Sequence, residues 1–160
     1  MSTQLQAPIA VPKLDGPPPH VLVVAAPYDK AVVGGLRQGA LEMLEQAGAT
    51  CDTLDVAGAL ELAATIRLAT AGHRHYDGYV ALGCVIRGET DHYEHVCREA
   101  MRGLTDVALG HGLCVGNGLL TVATEAQALA RCGTDGHNKG AEAAAACLQQ
   151  IVAARWLGSV

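Results

Sequence analysis

The sequence predicts an α/β fold in which helices cover both faces of a four-stranded parallel sheet. Three observations carry this. Short apolar runs rich in β-branched residues alternate with longer segments whose apolar residues recur every three or four positions, the signature of repeated strand and helix. Each helical segment is long enough to serve as a crossover, so successive strands run parallel and the connections are right-handed. The first run, Val21-Leu22-Val23-Val24-Ala25-Ala26, is apolar throughout, as a strand at the centre of a covered sheet is. A three-layer α/β/α sandwich with the flavodoxin-like strand order 2-1-3-4 accommodates this alternation.

The elements follow in order. Residues 1–20 contain Pro8, Pro12 and the run Pro17-Pro18-Pro19, which excludes helix and predicts an extended arm that carries no core, leaving 21–160 as one domain. Strand one ends at Pro27. The period then changes: Val33, Leu36, Ala40, Leu44 and Ala47 mark a helix with Asp29 as N-cap and Gly48 just past its end. A second strand fits 49–56, and Gly58 turns into a helix over 59–70 that Gly72 terminates. Gly78–Ile86 is the third strand. Val96, Ala100, Leu104 and Val107 form the buried stripe of a long third helix that Gly112 ends, with Asp91 and Glu94 framing its start. "LCVGNGLLTV" is the fourth strand, Thr124 and Gln127 form a capping box for a short helix, and "AEAAAACLQQIVAARWL" is the last helix.

Composition narrows the function. A chain of 160 residues is sized for one domain that buries about two thirds of its unfolded surface. Half of the residues are hydrophobic, 17% are charged and the mean hydropathy is positive, an apolar balance that points to contacts between subunits. A net charge of -5 without a basic cluster offers nucleic acid nothing to bind. No apolar run approaches the roughly 18 residues of a membrane helix, and the start lacks the blocks of a signal peptide, so a cytoplasmic protein is expected. Six cysteines, Cys51, Cys84, Cys97, Cys114, Cys132 and Cys147, form no C-x-x-C pair and read as reduced small hydrophobes. With four Tyr, one Trp and no Phe, a ring beside a reactive segment stands out, and Tyr28 is one.

In an open parallel sheet the ligand crevice lies outside the carboxyl ends of the strands. That rule selects Pro27-Tyr28-Asp29, Ala57 to Glu61, Arg87 to His92, and Asn117 onward. The third of these is the most suggestive: a buried strand runs into Arg87-Gly88-Glu89-Thr90-Asp91-His92 just before a helix. Gly88 lets the chain turn close to a ligand, and the amides around Glu89 and Thr90, with the Thr90 hydroxyl, can hold a phosphate. Glu89 and Asp91 are anions themselves, so a guanidinium must offset them, and Arg131 is the candidate. His92, in the first turn of the helix, can accept a proton and return it. The same residues admit a plain structural reading, as turn chemistry at Gly88 and Thr90, a surface histidine, and a solvated charge at a helix end. His92, His95 and Glu99 lie three and four apart, and His73-Arg74-His75 precedes strand three, but neither carries a known metal-ligand signature. No G-x-G-x-x-G follows strand one and no P-loop is present, which argues against dinucleotides and P-loop chemistry.

"GCVIRGETDHYEHVCREAMRGL" resembles the G-x-V-I-R-G-x-T-x-H-[FY] signature of the 6,7-dimethyl-8-ribityllumazine synthase family. "VAGALEL", "GNGLLTVATEAQALARCG" and "HNKGAEAA" are similar to three further segments of that family, in the same order. The resemblance implies condensation of 5-amino-6-(D-ribitylamino)uracil with 3,4-dihydroxy-2-butanone 4-phosphate, a step of riboflavin biosynthesis that uses no metal and no organic cofactor. By the resemblance His92 is the catalytic histidine, and Glu89, Thr90 and Arg131 bind the phosphate. Tyr28, Ala59, Leu60, Glu61, Cys84, Val85, Ile86, Asn117 and Lys139 bind the pyrimidine and its ribityl chain. Active sites between subunits of a pentamer are implied too, with single pentamers, paired pentamers or icosahedral shells of twelve as assemblies and riboflavin synthase as a candidate partner. Three positions depart from the usual pattern: Tyr28 replaces a Phe, Asn117 replaces an aromatic residue, and Asp135 stands where Lys is common. These departures leave a second reading open, a catalytically weak or inactive paralogue that binds ribityl-pteridine or flavin ligands.

Overall fold

The computed structural model describes residues 9–134 and 137–159. Strands β1 (His20–Ala25), β2 (Thr50–Asp55), β3 (Gly78–Ile86) and β4 (Val115–Val122) form one parallel sheet in the order β2-β1-β3-β4. Helices α1 (Lys30–Gln46), α2 (Glu61–Thr70) and α3 (His92–His111) connect them, and a short α4 (Glu125–Leu129) and α5 (Lys139–Leu157) follow β4. The alternation of side chains along the two central strands builds the layers. Val21, Val23 and Ala25 of β1, with Val80, Leu82 and Cys84 of β3, face α1 and α5; Leu22 and Val24, with Tyr79 and Ala81, face α2 and α3. Both faces of the central strands are therefore covered, as their unbroken apolar sequences demand. Among the described residues no helix is long and apolar enough to cross a membrane.

The helix ends show what local sequence controls. Asp29 caps α1, its Oδ1 accepting from Val32 N at 3.0 Å. Gly48 and Gly112, with φ of 74° and 61°, take the left-handed turn that closes α1 and α3. At the start of α2 the pattern misleads: the helix begins at Glu61, two residues late, because Ala59 and Leu60 belong to a turn in which Gly58 O accepts from Glu61 N. Ala71 caps its other end, so Gly72 lies beyond the helix and outside the left-handed region. The arm departs more from expectation. Ile9 and Leu14 pack against the α1 and α5 core, and Arg155 of α5 donates to the carbonyls of Asp15 at 2.6 Å and Pro17 at 2.8 Å. This stretch adds to a core that its prolines alone would not predict. All six cysteines are free thiols, four of them buried.

Candidate functional site

The turns leaving the carboxyl ends of β1, β2 and β3 open onto a cleft of about 750 Å³. Tyr28 stands at its rim on the turn after β1, where it is 89% exposed, and its N–H donates to Ala26 O at 2.9 Å. Ala59, Leu60 and Glu61 contribute one wall, with Glu61 in the first turn of α2, where the helix dipole favours a carboxylate. Cys84, Val85 and Ile86 form the floor where β3 ends, and Thr90 and His92 close the opposite side. Nine residues selected from the sequence thus meet in one cavity. Asp29, Ala57, Gly58 and Gly88, which the strand-end rule also selected, line it too, while Lys30, Tyr93 and Val96 line it and were missed. Tyr93 carried a usable signal, since it is one of four tyrosines and directly follows His92; Lys30 carried none beyond its place next to a cap.

The loop from β3 to α3 is held differently from the sequence expectation. Asp91 lies in the helical region with φ -67° and makes no side-chain capping bond; the Thr90 hydroxyl accepts from His92 N at 3.4 Å instead. Glu94 turns away from the helix terminus to pair with Arg87 at 3.3 Å, and the Arg87 guanidinium sits 4.5 Å from the centre of the Tyr93 ring. Arg87 N donates to Val122 O at 2.9 Å, extending the sheet one residue past β3. Gly88 needs no left-handed backbone here, and a Cβ there would meet only open space. The turn argument for this glycine fails, while the open space beside the cleft remains. Burial, helped by the charges of Asp29 and the nearby thiols, pushes the Cys84 thiol up to about 11. Burial also raises Tyr93 and Cys97 above their ordinary values. The floor of the cleft is thus uncharged at neutral pH, and Cys84 is a wall rather than a thiolate nucleophile.

Four selected residues stay out of the cleft of their own chain. Glu89 is exposed on the loop beside it. Asn117 is exposed on β4, an edge strand, where its Oδ1 accepts from Leu119 N at 3.0 Å and its Nδ2 lies 3.1 Å from Met101 Sδ. Arg131 donates from Nη1 to Gln127 O at 2.8 Å, and Lys139, the first residue of α5, pairs with Glu142. Lys139 N donates to Arg131 O at 2.8 Å, so the two cations form one unit beyond the end of β4. Asp135 lies outside the described residues. Among the described residues no group of three or more His, Cys, Asp or Glu is placed to hold a metal ion.

Fold and cleft together define an open-sheet α/β protein with a largely apolar cavity, rimmed by polar groups, outside the carboxyl ends of its strands and an imidazole at its edge. The profile of the 6,7-dimethyl-8-ribityllumazine synthase family matches residues 18–155. The chain is 46% identical over 140 residues to the 6,7-dimethyl-8-ribityllumazine synthase of Bartonella tribocorum, covering 88% of this chain and 93% of the relative. It is 50% identical over 136 residues to that of Azorhizobium caulinodans, covering 82% and 84%, and 44% identical over 144 residues to that of Paramagnetospirillum magneticum, covering 86% and 96%. The chain belongs to the 6,7-dimethyl-8-ribityllumazine synthase family.

Proposed function

We infer that this chain is a transferase that condenses 5-amino-6-(D-ribitylamino)uracil with 3,4-dihydroxy-2-butanone 4-phosphate to give 6,7-dimethyl-8-ribityllumazine, phosphate and water in riboflavin biosynthesis. Family membership across residues 18–155, which span every wall of the cleft, carries this reading. The domain of residues 21–160 performs the chemistry, and 1–20 form an arm. The pyrimidine stacks on Tyr28 and meets the backbone of Cys84, Val85 and Ile86, while Ala59, Leu60 and the Glu61 carboxylate hold the ribityl hydroxyls. Glu89 and Thr90 present main-chain amides and a hydroxyl to the phosphate, and Arg131 neutralises it. The pyrimidine amine attacks the ketone to form an imine with loss of water. Phosphate then leaves by elimination, and the second amine closes the ring by attacking the remaining carbonyl with loss of a second water. His92 moves the protons these steps require, and no metal or organic cofactor takes part.

Asn117, Arg131 and Lys139 lie outside the cleft of their own chain, which supports their reaching the cleft of a neighbouring subunit in a pentamer or a multiple of pentamers. An association with riboflavin synthase and a cytoplasmic location belong to the same proposal. The test is to mix purified protein with both substrates and follow the lumazine chromophore, with and without a metal chelator. The expected result is chelator-independent formation that His92→Ala slows by about 10²- to 10⁴-fold while pyrimidine binding persists. A folded, assembled protein that forms no chromophore would overturn the reading and leave ligand binding as its activity.

A further inference from the structure

The turn between α4 and α5 is organised by one side chain, Asn138, to which no role in the reaction has been given. Its Oδ1 caps α5, accepting from Gly140 N at 2.8 Å and Ala141 N at 3.1 Å. Its Nδ2 donates to the carbonyls of Gly35 at 2.8 Å, Cys132 at 3.1 Å and Gly133 at 3.1 Å. Reversing the amide would set a donor against two N–H groups and an acceptor against three carbonyls, so the network itself fixes the orientation. Helix α1 is shaped to receive it: a Cβ on Gly39 would lie 2.3 Å from the Asn138 amide, and one on Gly35 would lie 2.4 Å from Cys132 O. The amide therefore ties three separate pieces of chain together, namely α1, the carbonyls directly after Arg131, and the first turn of α5 directly after Lys139.

We propose that Asn138 is a positioning residue for the phosphate-bearing substrate, its amide N–H groups holding Arg131 in place without touching the ligand. The argument is geometric. Arg131 follows a helix of only five residues, where its N–H donates to Ala128 O at 3.0 Å and its guanidinium to Gln127 O at 2.8 Å. Its backbone is fixed on one side by the bond from Lys139 N to Arg131 O, and on the other by the carbonyls of the next two residues, both held by Asn138. A misplacement of about 1 Å at such a cation costs up to about 10²-fold in function. This inference rests on the phosphate assignment of Arg131 made above.

The test uses the full-length protein and two variants. Asn138→Asp keeps the cap on α5 and replaces the three donated bonds by a carboxylate facing carbonyls; Asn138→Ser also keeps the cap and simply lacks the amide. Steady-state kinetics with each substrate varied, together with inhibition by inorganic phosphate, provide the readout. Expected is a rise of about 10- to 100-fold in KM for 3,4-dihydroxy-2-butanone 4-phosphate and a parallel weakening of phosphate inhibition, with KM for the pyrimidine unchanged. A lowered melting point with both KM values unchanged, or a rise in both together, would show a purely structural residue and overturn the proposal. Should Asn138→Asp fail to assemble, Asn138→Ser decides by the same criteria. Arg131→Ala separates the two levels of the argument. If it leaves phosphate recognition intact, the assignment of Arg131 falls and takes the inference with it; if it abolishes recognition while both Asn138 variants keep it, the role of Asn138 alone is refuted.

Discussion

Replacing Gly140 by alanine gives the sharpest check on how α1 and α5 meet. A Cβ at this position would lie 1.8 Å from Leu36 O, where real Cβ atoms do not come within 3.0 Å, so the helices must separate by about 1.2 Å locally. Separation on that scale stretches the 2.8 Å bond from Asn138 to Gly35 O beyond hydrogen-bonding distance. Losing that bond costs about 1 kcal/mol. Forcing the methyl between backbones costs about 1–3 kcal/mol more. The sum, about 2–4 kcal/mol, lowers the melting temperature by about 4–16 °C in a chain of this length. Gly34→Ala is the control: nothing lies within 4 Å of the added Cβ on the exposed side of α1, so alanine there stabilises by about 0.5–1 kcal/mol. Both proteins are melted by circular dichroism at one protein concentration, because assembly also shifts the midpoint. A Gly140→Ala protein that melts together with Gly34→Ala would refute the packing argument.

Other outcomes follow from separate parts of the molecule. Leu148, fully buried between α5 and the sheet, should cost about 2–5 kcal/mol when cut to alanine, read as a lower urea midpoint at constant slope. Tyr28→Phe should preserve pyrimidine affinity and Tyr28→Ala should weaken it, since the ring rather than the hydroxyl is assigned the contact; equal losses in calorimetric binding would contradict that assignment. At the other end of the sheet the Tyr76 hydroxyl, Arg74 and His20 hold the Asp52 carboxyl below its ordinary value. A carboxyl depressed in the folded state stabilises above its unfolded value and loses that contribution as pH falls through the folded one. Asp52→Asn should therefore melt with a shallower decline than the parent protein on acidification below about pH 4, and an unchanged slope would remove Asp52 from the acid response.

The sheet order and both layers were legible because β1 from Val21 onward and β3 are apolar throughout while the helices repeat at three and four, and those two periods have few joint solutions. The capping glycines Gly48 and Gly112 were legible for a similar reason, being single residues with a single conformational use. Asp91 was not, because Thr90 one residue earlier offers a competing acceptor and only three-dimensional placement decides between them. Most of the cleft could be selected from the rule that ligands sit at the carboxyl ends of strands. Asn138 could not, since its partners Gly35 and Cys132 come from an earlier helix and an earlier turn, and sequence distance hides a bond that spans 103 positions. The docking of Ile9 and Leu14 was hidden by their prolines, which announce an extended backbone but not where it lies.

The clasp between Arg155 and the carbonyls of Asp15 and Pro17 brings the two ends of the folded chain within reach of one arginine side chain. Such proximity makes the protein a natural subject for circular permutation. A short flexible linker could join the region of Gly158 to that of Gly16, and new ends could be opened in the exposed turn at Gly72–His75, opposite the cleft. The permuted order would start with β3, the strand that leads into the residues of the site, and keep every strand pair of the sheet.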